Sequence, residues 1–191
     1  MPKISAPTVA EHRGAQRAAL IRAAEAVLLE GGLTMVSPRT VTERAGLARS
    51  SFYDYFPSKD DLLVAVALQA FDRWNDEISA ELAKSAPGLD RLRTFVEATL
   101  RMTADGRHGL ATSLREAELT PKRHEGIGAL HAALFRPLAE TLAELGHSDA
   151  ALWMHLAQGV LGAGVQLVEH GADHRTVAEA AFQLLTHGLP A

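Results

Sequence analysis

Between Ser37 and Lys59 the helix stop and start signals lie so close together that only two short helices fit between them. Ser37 is a capping residue, and Pro38 follows at the first helical position, where a missing N–H costs nothing. Gly46 closes that helix, because glycine accepts the left-handed turn at a helix end. A second helix, from about Arg49 to Phe56, stops at Pro57, and Ser58 caps the next one. Two short helices joined by a tight glycine turn are the sequence form of a helix-turn-helix, whose second helix enters the DNA major groove.

The second helix has distinct faces. Phe52 and Phe56 lie one turn apart and, with Leu47, point into a core. At about 100° per residue the opposite pole falls to Ser50 and Asp54, with Ser51 beside them. Tyr53 and Tyr55 project from the two flanks. Short polar side chains let a backbone approach base edges, while phenol hydroxyls reach phosphates. Arg49 and Arg39 suit phosphate or guanine. Lys59, opening the fourth helix, adds its charge to free N–H groups that bind phosphate.

The overall charge of −4 looks wrong for such a role until the chain is divided. Residues 1–59 hold eight Lys/Arg against five Asp/Glu; residues 60–191 hold eleven against eighteen. A basic head on an acidic body suits a polyanion touched at one end only.

Scarce strand punctuation and abundant Ala, Leu and Glu predict an all-α chain of about nine helices. Residues 1–10 read as a disordered arm, 11–57 as a three-helix DNA-binding domain, and 58–191 as a helical body. The first helix runs from about Glu11 to Glu30. The fourth, over about 58–84, bridges head and body. Breaks at Pro87-Gly88, Asp105-Gly106 and Thr120-Pro121 predict a fifth helix to about Thr103, a sixth near Leu110–Leu119 and a seventh over Pro121–Leu145. Ser148 or Asp149 caps an eighth reaching His170, and Asp173 opens a ninth that ends before Gly188.

Ala45-Gly46-Leu47, Phe52-Tyr53, Tyr55-Phe56-Pro57-Ser58-Lys59 and Leu62-Leu63, in this spacing, resemble the DNA-binding signature of TetR-type bacterial transcriptional regulators. The likeness covers about Gln16 to Leu63. It implies a homodimer that binds a roughly palindromic operator, usually as a repressor released by a small molecule. Its remaining helices would form a divergent ligand-binding and dimerisation body. Carried onto matching positions, it implicates Arg39, Arg49, Ser50, Ser51, Tyr53, Asp54, Tyr55 and Lys59. Two positions depart from the family pattern. Ala48 stands where Ser or Thr commonly caps the recognition helix, a loss of about 1 kcal/mol unless Ser50 or Ser51 compensates. Thr42 replaces a usual alanine.

One short recognition helix reads too little sequence alone, so the body should dimerise. Gly159, Gly162, Ala163 and Gly164 on the eighth helix permit close approach. Val177, Ala181, Leu184 and Leu185 form a stripe on the ninth, and the two helices would meet their symmetry mates as a four-helix bundle. Ala150 to Val168 carries no Asp, Glu, Lys or Arg and approaches the length of a bilayer span. Its His, Gln and Gly residues favour a helix buried on both sides in a soluble assembly. An effector pocket is expected among helices five to eight, with Phe95, Met102, Leu114, Phe135 and Trp153 as walls and His131 and Gln158 as polar handles. Such walls suit an apolar or amphipathic small molecule.

Cysteine is absent, which removes disulfides, thiolate nucleophiles and cysteine zinc sites and fits the cytoplasm. The densest histidine cluster, Glu169-His170 with Asp173-His174, straddles Gly171, so no metal site is expected. No catalytic triad, phosphate loop or paired carboxylate stands out, and no cofactor is expected. The leading reading is therefore a ligand-responsive DNA-binding regulator without membrane attachment. The alternatives are a helical enzyme or carrier that keeps the head only structurally, and a regulator acting through a protein partner.

Overall fold

The computed structural model describes residues 9–106, 134–146 and 149–188, and every regular element among them is helical. Eight α-helices appear there: α1 (Val9–Gly31), α2 (Pro38–Ala45), α3 (Phe52–Tyr55), α4 (Lys59–Leu82), α5 (Leu89–Ala104), α6 (Arg136–Glu144), α7 (Ala150–Glu169) and α8 (His174–His187). The expected sixth helix lies outside the described residues.

The head is built by side chains at helical spacing. Leu20, Ala24, Val27 and Leu28 form the buried stripe of α1, which packs on α2 and α4. A 3-10 turn, Leu33–Met35, leads to α2. There Ser37 Oγ accepts from the Thr40 amide at 3.1 Å, and Thr40 Oγ1 accepts from the Ser37 amide at 3.0 Å. This reciprocal cap satisfies two otherwise orphaned donors. Gly46 ends α2 at φ 69°, a conformation that side chains with a Cβ rarely adopt. Thr42 is fully buried, and its hydroxyl donates to the Pro38 carbonyl at 2.7 Å. The helix itself thus absorbs the polar group that stands where the family has alanine.

α5 is the hub of the body, touching α4, α6, α7 and α8. Leu92, Phe95, Val96, Thr99, Leu100 and Met102 are buried on more than one side of it. α7 crosses it at Gly164. A Cβ there would come within 3.2 Å of Leu100 and 3.3 Å of Val177, tighter than ordinary packing allows. Gly164 therefore serves the contact of α7 with α5 and α8 inside one subunit, whereas Gly159 and Gly162 have nothing nearby.

Two expectations need correction. The seventh helix was expected to run unbroken to Leu145, but α6 begins only at Arg136, after a turn at Leu134-Phe135. Pro137 sits in its first turn, where proline is tolerated; an uninterrupted helix would set its ring against a carbonyl. The recognition helix divides into a 3-10 turn, Arg49–Ser51, followed by α3. One subunit by itself covers one face of α7, at Ala157, Leu161, Val165 and Val168, and leaves Leu152, Leu156 and Leu167 exposed. Ala151–Glu169 is long and apolar enough to cross a membrane, yet the covered side is fitted to α5.

Candidate nucleic-acid interface

α3 is held by its own aromatic residues. Phe52 is fully buried and Phe56 nearly so, with ring centroids 6.0 Å apart. Burying a side chain of this size stabilises by about 1.5–3 kcal/mol, enough to seat a helix too short to persist alone. Ala48 has the extended backbone of a capping residue, but no side-chain oxygen closes the turn. Neither Ser50 nor Ser51 replaces it; the Ser51 amide donates to the Ala48 carbonyl at 2.9 Å instead. The missing acceptor accounts for the tighter 3-10 start.

Burying Phe52 and Phe56 turns the opposite edge outward. Arg49, Ser50, Tyr53 and Asp54 are exposed, Tyr53 by 64%, and Ser51 is half-buried. Tyr55 departs from the expected exposed flank. It is half-buried against α1, its hydroxyl donates to Gln16 Oε1, and the Arg13 guanidinium lies 5.5 Å from its ring centre. Arg13 Nη2 also donates to the Asp54 carbonyl at 2.8 Å, and Arg17 lies 5.1 Å over the Phe56 ring. Sequence reasoning missed these α1 residues. Their signal was the spacing of Arg13, Gln16 and Arg17 on one helical face, N-terminal to the buried stripe.

The remaining cations are engaged to different degrees. Arg39 is paired with Glu43 at 2.8 Å, which raises its pKa, yet both side chains are mostly exposed and remain available for exchange. Lys59 Nζ donates to the Leu33 carbonyl at 3.0 Å, tying the start of α4 to the turn after α1. An ammonium has three donors, so two are left for a phosphate. Ser58 Oγ caps α4 by accepting from the Asp61 amide at 3.2 Å.

The residues expected to line one pocket are spread out. Phe95 and Phe135 meet, with ring centroids 6.5 Å apart. Met102 borders a cleft of about 550 Å³ between α1, α4 and α5, with Leu29, Ala70 and Trp74 and the charged Glu25, Arg73, Asp76, Glu77 and Asp105. Trp153 is 39% exposed and borders a separate apolar cleft of about 220 Å³ with Leu92, Leu142, Leu145 and Leu185. Gln158 is half-buried on α7. Leu114 and His131 lie outside the described residues.

Of the expected dimer residues, Gly159, Gly162, Ala163 and Leu184 are exposed, Val177 and Leu185 half-buried, and Ala181 buried. The open ones continue the exposed side of α7 that carries Leu152, Leu156 and Leu167. His170 Nδ1 engages the Gln166 carbonyl and Asp173 caps α8, so the acidic and histidine cluster is used locally.

Residues 20–66 match the family described as bacterial regulatory proteins, tetR family. The transcriptional repressor KstR of Rhodococcus jostii is 33% identical over 89 residues, 45% of this chain and 40% of the repressor. The match thus spans well under half of that relative's length. Among solved structures, FadR of Bacillus subtilis in complex with stearoyl-CoA superposes with a TM-score of 0.76 at 18% identity, covering 91% of this chain and 99% of that one. A regulator from Saccharomonospora viridis in complex with choline gives 0.77 at 19% identity, covering 91% and 97%. These two share the fold over nearly their whole lengths. These relatives are described as regulators of transcription. The helix-turn-helix of this chain, over residues 20–66, is thus similar to that of the tetR family of bacterial regulatory proteins.

Proposed function

We propose that the protein is a cytoplasmic repressor that binds a roughly palindromic operator as a homodimer and is released by a small amphipathic molecule. The observation that carries this reading is the outward edge of the recognition element, where Arg49, Ser50, Tyr53 and Asp54 stand exposed on a head with surplus positive charge. In this reading Ser50, Ser51 and Asp54 face base edges, while Arg39, Arg49, Tyr53 and Lys59 contact phosphates. The head extends to about residue 57, and α4 joins it to the body.

Dimerisation through α7 and α8 is supported by the exposed apolar side of α7, which a second copy would cover. The open backbone at Gly159 and Gly162 would let the helices approach closely.

The two solved neighbours hold ligands of opposite charge, and the larger cleft favours one over the other. Its described lining sets Glu25, Asp76, Glu77 and Asp105 against Arg73, around Trp74 and Met102, with Arg73 paired to Glu25 and Arg101 to Glu77. A coenzyme A thioester brings several phosphate charges and would be repelled, whereas a neutral or cationic amphiphile fits the apolar floor and the acidic rim. The volume lies within the range of small-molecule sites.

Selection of bound fragments from random duplex DNA tests the core of the proposal. Two related half-sites about one helical turn apart, or a multiple of it, are expected. Recovery of unrelated sequences, or of a single half-site, would overturn the dimeric repressor.

A further inference from the structure

The recognition element is too short to hold its own orientation. It comprises one 3-10 turn and the four residues of α3, and its N-terminus has no side-chain cap. At the other end, the last carbonyls of any helix lack intrahelical partners. Asp54 is one of the last four residues here, and its carbonyl is taken by Arg13 Nη2 at 2.8 Å from a different helix. The Arg13 guanidinium also lies over the Tyr55 ring, and Tyr55 in turn donates its hydroxyl to Gln16. Arg17 covers the Phe56 ring. Arg13, Gln16 and Arg17 occupy one face of α1 and hold three consecutive residues of the recognition element.

This part of α1 has little else to do. Its buried stripe begins at Leu20, and none of residues 9–15 is buried. The family match begins at residue 20, so Arg13, Gln16 and Arg17 lie just N-terminal to the matched segment on the same helix. The N-terminal part of α1 is thus a helical extension whose inward contacts are directed at the end of α3.

We propose that Arg13 is a specificity-determining positioning residue: with Gln16 and Arg17 it fixes the angle at which Ser50, Tyr53 and Asp54 meet the bases. It acts through Asp54 and Tyr55 and takes no phosphate of its own. A helix held at one angle presents its side chains to base edges in one register, whereas a loose one still follows the phosphate backbone. The clamp therefore governs the ratio of specific to non-specific affinity more than affinity itself. This inference rests on the DNA-binding reading.

The test uses the full chain and the operator selected by wild-type protein. Arg13→Ala and Tyr55→Phe are each titrated against that operator and against random duplex over a range of salt. Each is expected to lower the specific-to-non-specific ratio, by roughly tenfold for Arg13→Ala, the scale of a lost charge-assisted hydrogen bond. The salt slope should not change. The double variant should cost less than the sum of the two singles, because both act on one contact network. Arg13→Lys, which keeps a donor for the Asp54 carbonyl, should recover part of the ratio. Should Arg13→Ala fold poorly, the ratio measured for Tyr55→Phe decides, since losing one hydroxyl leaves the ring in place. An unchanged ratio in the folded variants overturns the inference. So does an equal loss on both DNAs with a salt slope reduced by about one, which marks Arg13 as a phosphate contact. Wild-type protein that selects no operator would instead overturn the DNA-binding reading beneath it.

Discussion

Lys59 illustrates how one side chain can serve two partners. Its ammonium donates to the Leu33 carbonyl and stands at the first turn of α4, where free N–H groups also attract an anion. Both roles leave a measurable trace. Lys59→Ala is expected to lower stability by about 1.5–3 kcal/mol, the scale of a hydrogen bond from a charged group, read from the denaturant midpoint. It should also reduce the salt slope of DNA binding by about one. A stability loss with an unchanged slope would reduce Lys59 to a brace. Ala48 offers the opposite case, a position where the chain lacks something useful. Its backbone, at φ −66° and ψ 143°, already has the extended conformation of a helix cap. Ala48→Ser therefore adds an acceptor without backbone rearrangement and should stabilise the protein by about 0.5–2 kcal/mol. A midpoint that fails to rise would mean that the 3-10 start does not arise from the missing cap.

At the level of elements, local chemistry determined how much of the structure could be read in advance. Helix ends were legible wherever one residue type settles them: Ser37-Pro38, Gly46, Ser58, Asp149 and Asp173 all lie at the boundaries they signal. The outward edge of α3 was legible because Phe52 and Phe56 fix the inward one. The Arg13 clamp was legible only as a shared face of α1, because its partner Asp54 lies forty-one positions away and spacing along one helix does not name it. The single pocket was inferred from apolar residues on neighbouring helices, and helical spacing does not say which groove each one borders; Met102 and Trp153 accordingly border different clefts. The start of α8 allows a test of a legible boundary. Amide and hydroxyl donation from Thr176 holds the Asp173 carboxyl below its ordinary value of 3.8. A depressed carboxyl stabilises the fold above its unfolded pKa, and that stabilisation is lost as pH falls through the lower folded value. Asp173→Asn keeps a cap but cannot titrate, so its thermal midpoint should fall less steeply than wild type below about pH 4. Parallel acid profiles for the two proteins would show that the cap carries no acid sensitivity.

Across the whole molecule, the cleft at Trp74 and Met102, proposed above as the effector site, is walled by both head and body. Its walls come from α1 of the head, through Glu25 and Leu29, and from α4 and α5 of the body. Arg73 on α4 is paired with Glu25 on α1, and the start of α4 is tied to the turn after α1 through Lys59. A molecule wedged there would alter how α1 rests on α4, and with it the spacing of the two heads in a dimer. Release requires only that the molecule bind the DNA-incompetent arrangement more tightly than the competent one. Two probes with one acyl chain and opposite head groups separate the charge argument from simple apolar burial. Hexanoylcholine is expected to raise the thermal midpoint and release the operator, and hexanoyl-CoA to do neither. Ala70→Leu, which adds bulk at the wall of the cleft, should weaken the response at least tenfold while leaving unliganded operator affinity within about twofold, because the wall lies away from the recognition edge. Release by the thioester but not by the choline ester would reverse the assigned charge preference. An Ala70→Leu protein that responds like wild type would place the effector elsewhere, and the apolar cleft beside Trp153 would then be the site to fill.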